Sequence, residues 1–351
     1  MKKIFFSLVA IAALAACSKS EIQYEQNVAI SFAPVAQNVT KSVAGVDADG
    51  DYDSTFPTTQ DLYIFANAQE QDANGVLSQA WNTPYLVNAQ FIAGRITDNG
   101  VYEGKVAQYW PNVKSLIFAG YSNACNIADI ADDSEVDFGA NTITITGYTQ
   151  NNADGYTKEG DVITLKPGAN DLMWFPWDNL SYTKRSSAVP VTMKHACSWI
   201  TIKVVGDDVT GNTWKLHELK INGLYHTGTA TCGATEATWE VTGTPASEIV
   251  YANTDGEAIA QGTAVAMENV ANNMVVIPQF PTTLDVTYSF VAQSGEIITE
   301  IKKDMTLKYN GDDKWISGKH YTYTIKITAT EILIAPTVEE WVEGHNLNPV
   351  I

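Results

Sequence analysis

His320-Tyr321-Thr322-Tyr323-Thr324-Ile325-Lys326-Ile327 is the stretch that decides the fold. Tyr321, Tyr323, Ile325 and Ile327 fall on one side of a two-residue repeat, with Thr322, Thr324 and Lys326 on the other. Side chains of an extended chain point alternately to opposite faces, so this is a strand with one buried and one wetter face. Aromatic and β-branched residues suit such a pleated, half-buried surface. The same period recurs in Val28, Ile30 and Phe32, and again in Val189, Val191, Met193 and His195. From Ile200 the inward set moves to Ile200, Ile202 and Val204, which predicts a bulge or bend near Ala196–Trp199.

Further strand-like runs lie at Leu62–Ala66, Val101–Tyr109, Ser115–Tyr121, Thr142–Gly147 and Asp161–Leu165. Asp98-Asn99-Gly100, Asn222-Gly223 and Asn310-Gly311 read as turns, and Ser294-Gly295 joins two runs as a hairpin. Long helical periodicity is nearly absent. The economical architecture is all-β, with two antiparallel β-sandwiches in tandem. Asn179–Ser187, where Tyr182–Ser187 is polar and non-periodic, reads as a hinge, giving an N-terminal sandwich over 28–186 and a C-terminal one, with its tail, over 187–351. Val35–Thr59 is a long loop rich in Asp, Gly, Ser and Thr.

The chain has 351 residues, 45% apolar and 17% charged, enough hydrophobic material to exclude a disordered chain. Its formal net charge of −19 argues against nucleic acid as a partner, because phosphate binding needs a basic face. Lys2 and Lys3 precede an apolar run, Ile4–Ala16, too short to span a bilayer as a mature helix. That is a signal peptide over 1–16. Leu14-Ala15-Ala16-Cys17 looks like a bacterial lipobox, in which Cys17 is acylated and heads the mature chain. The alternative is an ordinary signal cleaved after Ala16, with Cys17 incidental. Residues 17–27 then form a lipidated tether. No polybasic patch accompanies it, so lipid alone must hold the protein to its membrane.

Three cysteines remain in the body, Cys125, Cys197 and Cys232, so at least one thiol is left over. A Cys197–Cys232 bridge is one arrangement and two thiols the other. There is no glycine-rich phosphate loop, His-Glu-x-x-His, Gly-x-Ser-x-Gly or Cys-x-x-Cys. His195 with Cys197 has the residue types of a zinc pair, but the bend expected there spoils its geometry, and a buried histidine beside a core cysteine is the plainer reading. Asp47-Ala48-Asp49-Gly50-Asp51-Tyr52-Asp53 resembles the start of a calcium loop, yet Tyr52 and Thr58 stand where Gly and Glu are needed. Trp174, Phe175 and Trp177 offer either a sugar-stacking platform or a plug for the end of a sandwich. No metal, cofactor or catalytic residue is expected, and the protein is read as a non-enzyme.

Several short segments, in order, resemble the fimbrillin family, the lipoprotein-derived subunits of type V pili in anaerobic gut and oral bacteria. They are Ile30-Ser31-Phe32, Thr40-Lys41, Phe56-Pro57 with Leu62–Ala66, and Tyr109-Trp110-Pro111 leading to Leu116–Tyr121. Asp171-Leu172-Met173, Val191–Ile202 around Lys194-His195-Ala196, Val276-Ile277-Pro278-Gln279, His320–Ile327 and Ile334–Trp341 continue the series. The resemblance implies two tandem transthyretin-like antiparallel β-sandwich domains and a lipid anchor in the cell outer membrane. It also implies a structural or adhesive role in a fimbria, with other pilus subunits, and a host or bacterial surface ligand, as partners.

In polymerising members a protease removes the first strand, and a donor strand from the C-terminal segment of another subunit fills the groove. By resemblance the leaving strand here is Val28–Ala33 and the cut follows Lys41. No arginine lies before Arg95, so an Arg-only protease would leave this chain uncut. The donor segment is Glu331–Ile351, with Ile332, Ile334, Val338 and Trp341 as its apolar anchors. The contrasting function is a surface lipoprotein that binds glycans and never polymerises.

Overall fold

The computed structural model describes residues 28–36, 61–93, 101–123, 135–150, 156–159, 162–165, 172–206, 213–262, 265–266, 274–280, 283–291, 297–307, 314–328 and 331–340. Among these residues every regular element is a strand. The first ten are β1 (Ser31–Ala36), β2 (Asp61–Ala68), β3 (Thr83–Ala93), β4 (Tyr102–Gly104), β5 (Leu116–Asn123), β6 (Glu135–Asp137), β7 (Thr142–Thr149), β8 (Tyr156–Glu159), β9 (Val162–Leu165) and β10 (Met173–Phe175). Next come β11 (Val189–His195), β12 (Ser198–Gly206), β13 (Thr213–Leu224), β14 (Thr227–Cys232), β15 (Ala237–Thr242) and β16 (Ala246–Ala258). The last are β17 (Val265–Ala266), β18 (Met274–Val276), β19 (Thr283–Val291), β20 (Ile297–Thr306), β21 (Lys319–Ile327) and β22 (Ile332–Glu340).

Seven strands close into a barrel in the order β1-β11-β10-β5-β2-β3-β4. Its interior is apolar, with Phe32, Leu62, Phe91, Phe118 and Met193 among the side chains that fill it. A second core lies between a five-stranded sheet, β17-β12-β21-β22 with β18 also on β12, and a six-stranded sheet, β20-β19-β13-β16-β9-β8. Tyr321, Tyr323, Ile325 and Ile327 of β21 point into that core, as their alternation requires. A third core, with Tyr121, Trp174, Ile145 and Ala230, joins the barrel's outer wall to a four-stranded sheet, β15-β14-β7-β6.

The change of phase after His195 is a passage between sheets. β11 ends at His195, Ala196 and Cys197 bend, and β12 begins at Ser198. Val189, Val191 and Met193 serve the barrel core, while Ile200, Ile202 and Val204 serve the second. The expected division at 186/187 falls between strands of one barrel. β11 lies beyond that point yet pairs with β1 and β10, and β7 pairs with β14. The sheets thus draw strands from both sides of the boundary, because the apolar face of Val189–Met193 completes the barrel.

Asn222-Gly223 is likewise a bulge inside β13 and not a turn. Gly223 sits at φ 80°, where a side chain would be strained, and the register with β16 shifts between Asn222 and Leu224. Cys197 and Cys232 are both buried and both remain thiols, not a disulfide. Burial pushes the Cys232 thiol well up, with Cys197 adding to the effect.

Candidate functional site: the seam closed by the first strand

Among the described residues β1 is the first strand of the chain, and in the barrel it lies between β11 and β4. It runs parallel to β11, from Phe32 opposite Val189 to Ala36 opposite Met193. On its other side it runs antiparallel to β4, with Ser31 opposite Glu103 and Phe32 opposite Tyr102. The segment before it extends this pairing: Ile30 N–H donates to the Gln108 carbonyl at 2.7 Å, and Trp110 N–H donates to the Val28 carbonyl at 2.9 Å. β11 and β4 do not pair with each other, so β1 bridges them, as each barrel strand bridges its own two neighbours.

Side chains fix the strand as firmly as its backbone. Ile30, Phe32 and Pro34 are buried at every second position, while Ser31 and Ala33 are half-buried. The Phe32 ring meets Phe91 edge-on at 4.9 Å and Phe118 at 5.1 Å. Such T-shaped pairs contribute about 0.5–1.5 kcal/mol each beyond area burial. Tyr102, opposite Phe32, is fully buried, and desolvation raises its hydroxyl pKa with help from Asp61. A chain without β1 would expose one edge each of β11 and β4 above an apolar trough.

The C-terminal strand has a different setting. β22 pairs antiparallel with β21 along its whole length, Ile332 opposite Ile327 and Val338 opposite Tyr321, and forms one edge of the five-stranded sheet. Ile332, Ile334 and Val338 are only partly buried against the second core, and Leu333 is 48% exposed. Pro336 lies within the strand, opposite Tyr323, a placement sheets tolerate at an edge. Cys17, Lys41, Trp341 and the Asp47–Asp53 loop lie outside the described residues.

The structure separates the remaining candidates. His195 and Cys197 are both buried, and Cys197 Sγ is 3.7 Å from the Tyr148 hydroxyl. Among the described residues no three His, Cys, Asp or Glu side chains converge as a metal site would need. Trp174 and Phe175 are adjacent on β10 and buried on opposite faces, one in the third core and one in the barrel. Only Trp177 of that trio reaches the surface. The sequence reading missed β11 as partner of β1. Its alternation was visible, but alternation does not say which strand lies alongside.

Among the described residues the chain is all-β, and its first described strand completes an apolar barrel. The chain belongs to the fimbrillin-like family, which matches residues 52–341. Residues 1–18 match the prokaryotic membrane lipoprotein lipid attachment site. The fold is similar to that of a fimbrial protein from Bacteroides vulgatus, at 17% identity and a TM-score of 0.55, covering 80% of this chain and 92% of that one. The tip fimbrial protein Mfa3 from Porphyromonas gingivalis is also similar, at 9% identity and a TM-score of 0.42, covering 90% of this chain and 100% of that one. No curated protein matches the chain.

Proposed function

We propose that this protein is a structural or adhesive subunit of a surface fimbria, held to the outer membrane through acylated Cys17 until it is assembled. A cut after Lys41 releases β1, and an extended segment of another subunit then occupies the seam between β11 and β4. The observation that carries this reading is that β1, the first described strand, lies between β11 and β4 and sends Ile30 and Phe32 of its segment into the barrel core. The transthyretin-like pair of domains belongs to the same reading, supported by the separate barrel and sandwich cores.

The C-terminal segment is the donor this reading favours. Ile30-Ser31-Phe32-Ala33-Pro34 and Ile332-Leu333-Ile334-Ala335-Pro336 share a pattern: apolar, any, apolar, Ala, Pro. A segment with β1's own spacing can offer the trough apolar side chains at the same alternate positions. Purified precursor treated with trypsin should yield a chain beginning at Ser42 and then SDS-resistant ladders, while Lys41→Ala should remain intact and monomeric. A precursor that is cut after Lys41 yet stays monomeric would overturn assembly by strand exchange.

A further inference from the structure

A second feature lies on the far side of β11 from β1. β10 is short and pairs with β11 only through Met173 opposite His195 and Trp174 opposite Lys194. Beyond Phe175 the chain turns away, and a cleft of about 340 Å³ opens beside β11. Its floor includes Phe118, Phe175, Val189 and Val191, and its rim includes Trp177, Tyr182, Asn141, Asp178, Thr192 and Lys194.

The rim is held in place before any ligand arrives. Asn141 grips the Trp177 backbone twice: its Nδ2 donates to the Trp177 carbonyl, and its Oδ1 accepts from the Trp177 N–H, each at 2.9 Å. Trp177 Nε1 donates to the Leu180 carbonyl at 3.0 Å. Asp178 spends both oxygens on the same loop, accepting from Leu180 N–H at 2.9 Å and from the Tyr182 hydroxyl at 3.2 Å. Tyr182 is further fixed by a backbone bridge to Leu116. Preformed walls lower the ordering cost of binding.

Lys194 is the unbalanced group. Its ammonium donates to the Ala234 carbonyl, and among the described residues it is bonded to no carboxylate. Partial burial lowers its pKa, so the charge is poorly solvated where it stands. Arg185, whose guanidinium lies 5.7 Å from the centre of the Tyr182 ring, adds positive charge to this part of a strongly acidic chain.

We propose that this cleft binds a saccharide carrying a carboxylate, such as a uronic or sialic acid residue. The flat C–H face of the sugar ring lies against the Trp177 and Tyr182 side of the cleft, the Thr192 hydroxyl bonds ring hydroxyls, and Lys194 takes the carboxylate. The cleft opens on the edge of β11 away from β1, although its floor shares Phe118 with the Phe32 contact of the seam.

The test uses the full chain in detergent, titrated with D-glucuronic acid, N-acetylneuraminic acid, D-glucose and D-galactose by calorimetry and tryptophan fluorescence. The acidic sugars should bind about tenfold or more tightly than the neutral ones, the ratio that one charge-assisted hydrogen bond supplies. Lys194→Met should erase that preference with unchanged thermal unfolding, while Lys194→Arg should retain it. Equal binding of acidic and neutral sugars by the native chain would overturn the assignment of the carboxylate. Acetate competing as well as glucuronate, or an extended peptide displacing the sugars at lower concentration, would overturn the saccharide. Acidic binding that survives Lys194→Met would overturn the site.

Discussion

Phe32→Ala tests the keystone role of the first strand. Phe32 is fully buried, contacts Phe91 and Phe118 edge-on, and faces Tyr102 across the β4 ladder. Truncating a buried phenylalanine costs about 3–5 kcal/mol, the transfer of the ring plus the cavity it leaves. The upper end applies here, because the rigid rings of Phe91 and Phe118, each packed edge-on, cannot collapse into the space. Such a loss is a sizeable share of a typical domain stability of about 5–15 kcal/mol. Urea unfolding of the soluble chain should show the midpoint falling at unchanged m-value. Amide exchange should rise first in β11 and β4, the two strands that β1 holds together, while β12 and β21 stay protected. A second arm separates the strand from the body: in a chain cleaved after Lys41, a synthetic Val28–Ala36 peptide should restore protection to β11, and the same peptide with Phe32→Ala should not. A loss below about 1 kcal/mol, or an unchanged exchange rate in β11, would refute the argument that Phe32 locks the seam.

Two further outcomes follow from other parts of the molecule. His320 is buried beneath Trp199, stacked at 3.8 Å, and desolvation, with Lys203 adding to it, lowers its pKa to about 4. On acidification the unfolded chain binds this proton first, so stability should fall as pH drops from about 6.5 towards 4, by about 3 kcal/mol in all, and His320→Gln should flatten that slope; parallel slopes in urea titrations would contradict it. Acylation of Cys17 should send the protein to the detergent phase, and Cys17→Ala should move it to the aqueous phase or block its maturation. Fatty-acid labelling of the Cys17→Ala chain would sink the lipoprotein reading.

Strands announced themselves where several residues kept period two, and stayed hidden where an irregularity fell in the middle of the run. β2 and β21 were legible because each keeps an inward set in phase, and β7 because Ile143 and Ile145 alternate before Gly147 shifts the phase. β3 was not, because Asn88 takes a left-handed conformation at φ 49° and the register with β2 shifts nearby. β16 hides for the same reason, with Gly256 at φ 73° among Asn and Asp residues that read as loop. Pairing was the harder part. β1 with β11 and β12 with β21 are parallel, so no short turn joins them and no local signal names the partner. The cleft was half legible: an aromatic cluster was visible at Trp174–Trp177, but adjacent residues of a strand covered on both faces are both buried. Only the first residue past the proline, Trp177, was left to form a wall.

The shared pattern of the first strand and the C-terminal segment makes the register of assembly testable. If Ile332-Leu333-Ile334-Ala335-Pro336 takes the place of Ile30-Ser31-Phe32-Ala33-Pro34, then Ile334 falls where Phe32 was, over Phe91 and Phe118, and Leu333 falls where half-buried Ser31 was. A slip of one residue would exchange the faces and bring Leu333 into the trough instead. The monomer offers a useful control, because in β22 Leu333 already faces outward at 48% exposure and Ile334 only partly enters the second core. Leu333→Asp should therefore leave both monomer and ladder intact. Ile334→Asp should lower monomer stability and abolish SDS-resistant ladders, since a carboxylate in an apolar trough goes unpaired. Ile334→Val separates these two effects, costing about 0.5–1.5 kcal/mol at a fully buried site and less where the side chain is half-exposed. Its ladders should form but dissociate at lower temperature, while its monomer unfolds nearly as before. Ladders that survive Ile334→Asp and fail with Leu333→Asp would place the donor one residue out of this register, and ladders that survive both would take the donor role away from this strand.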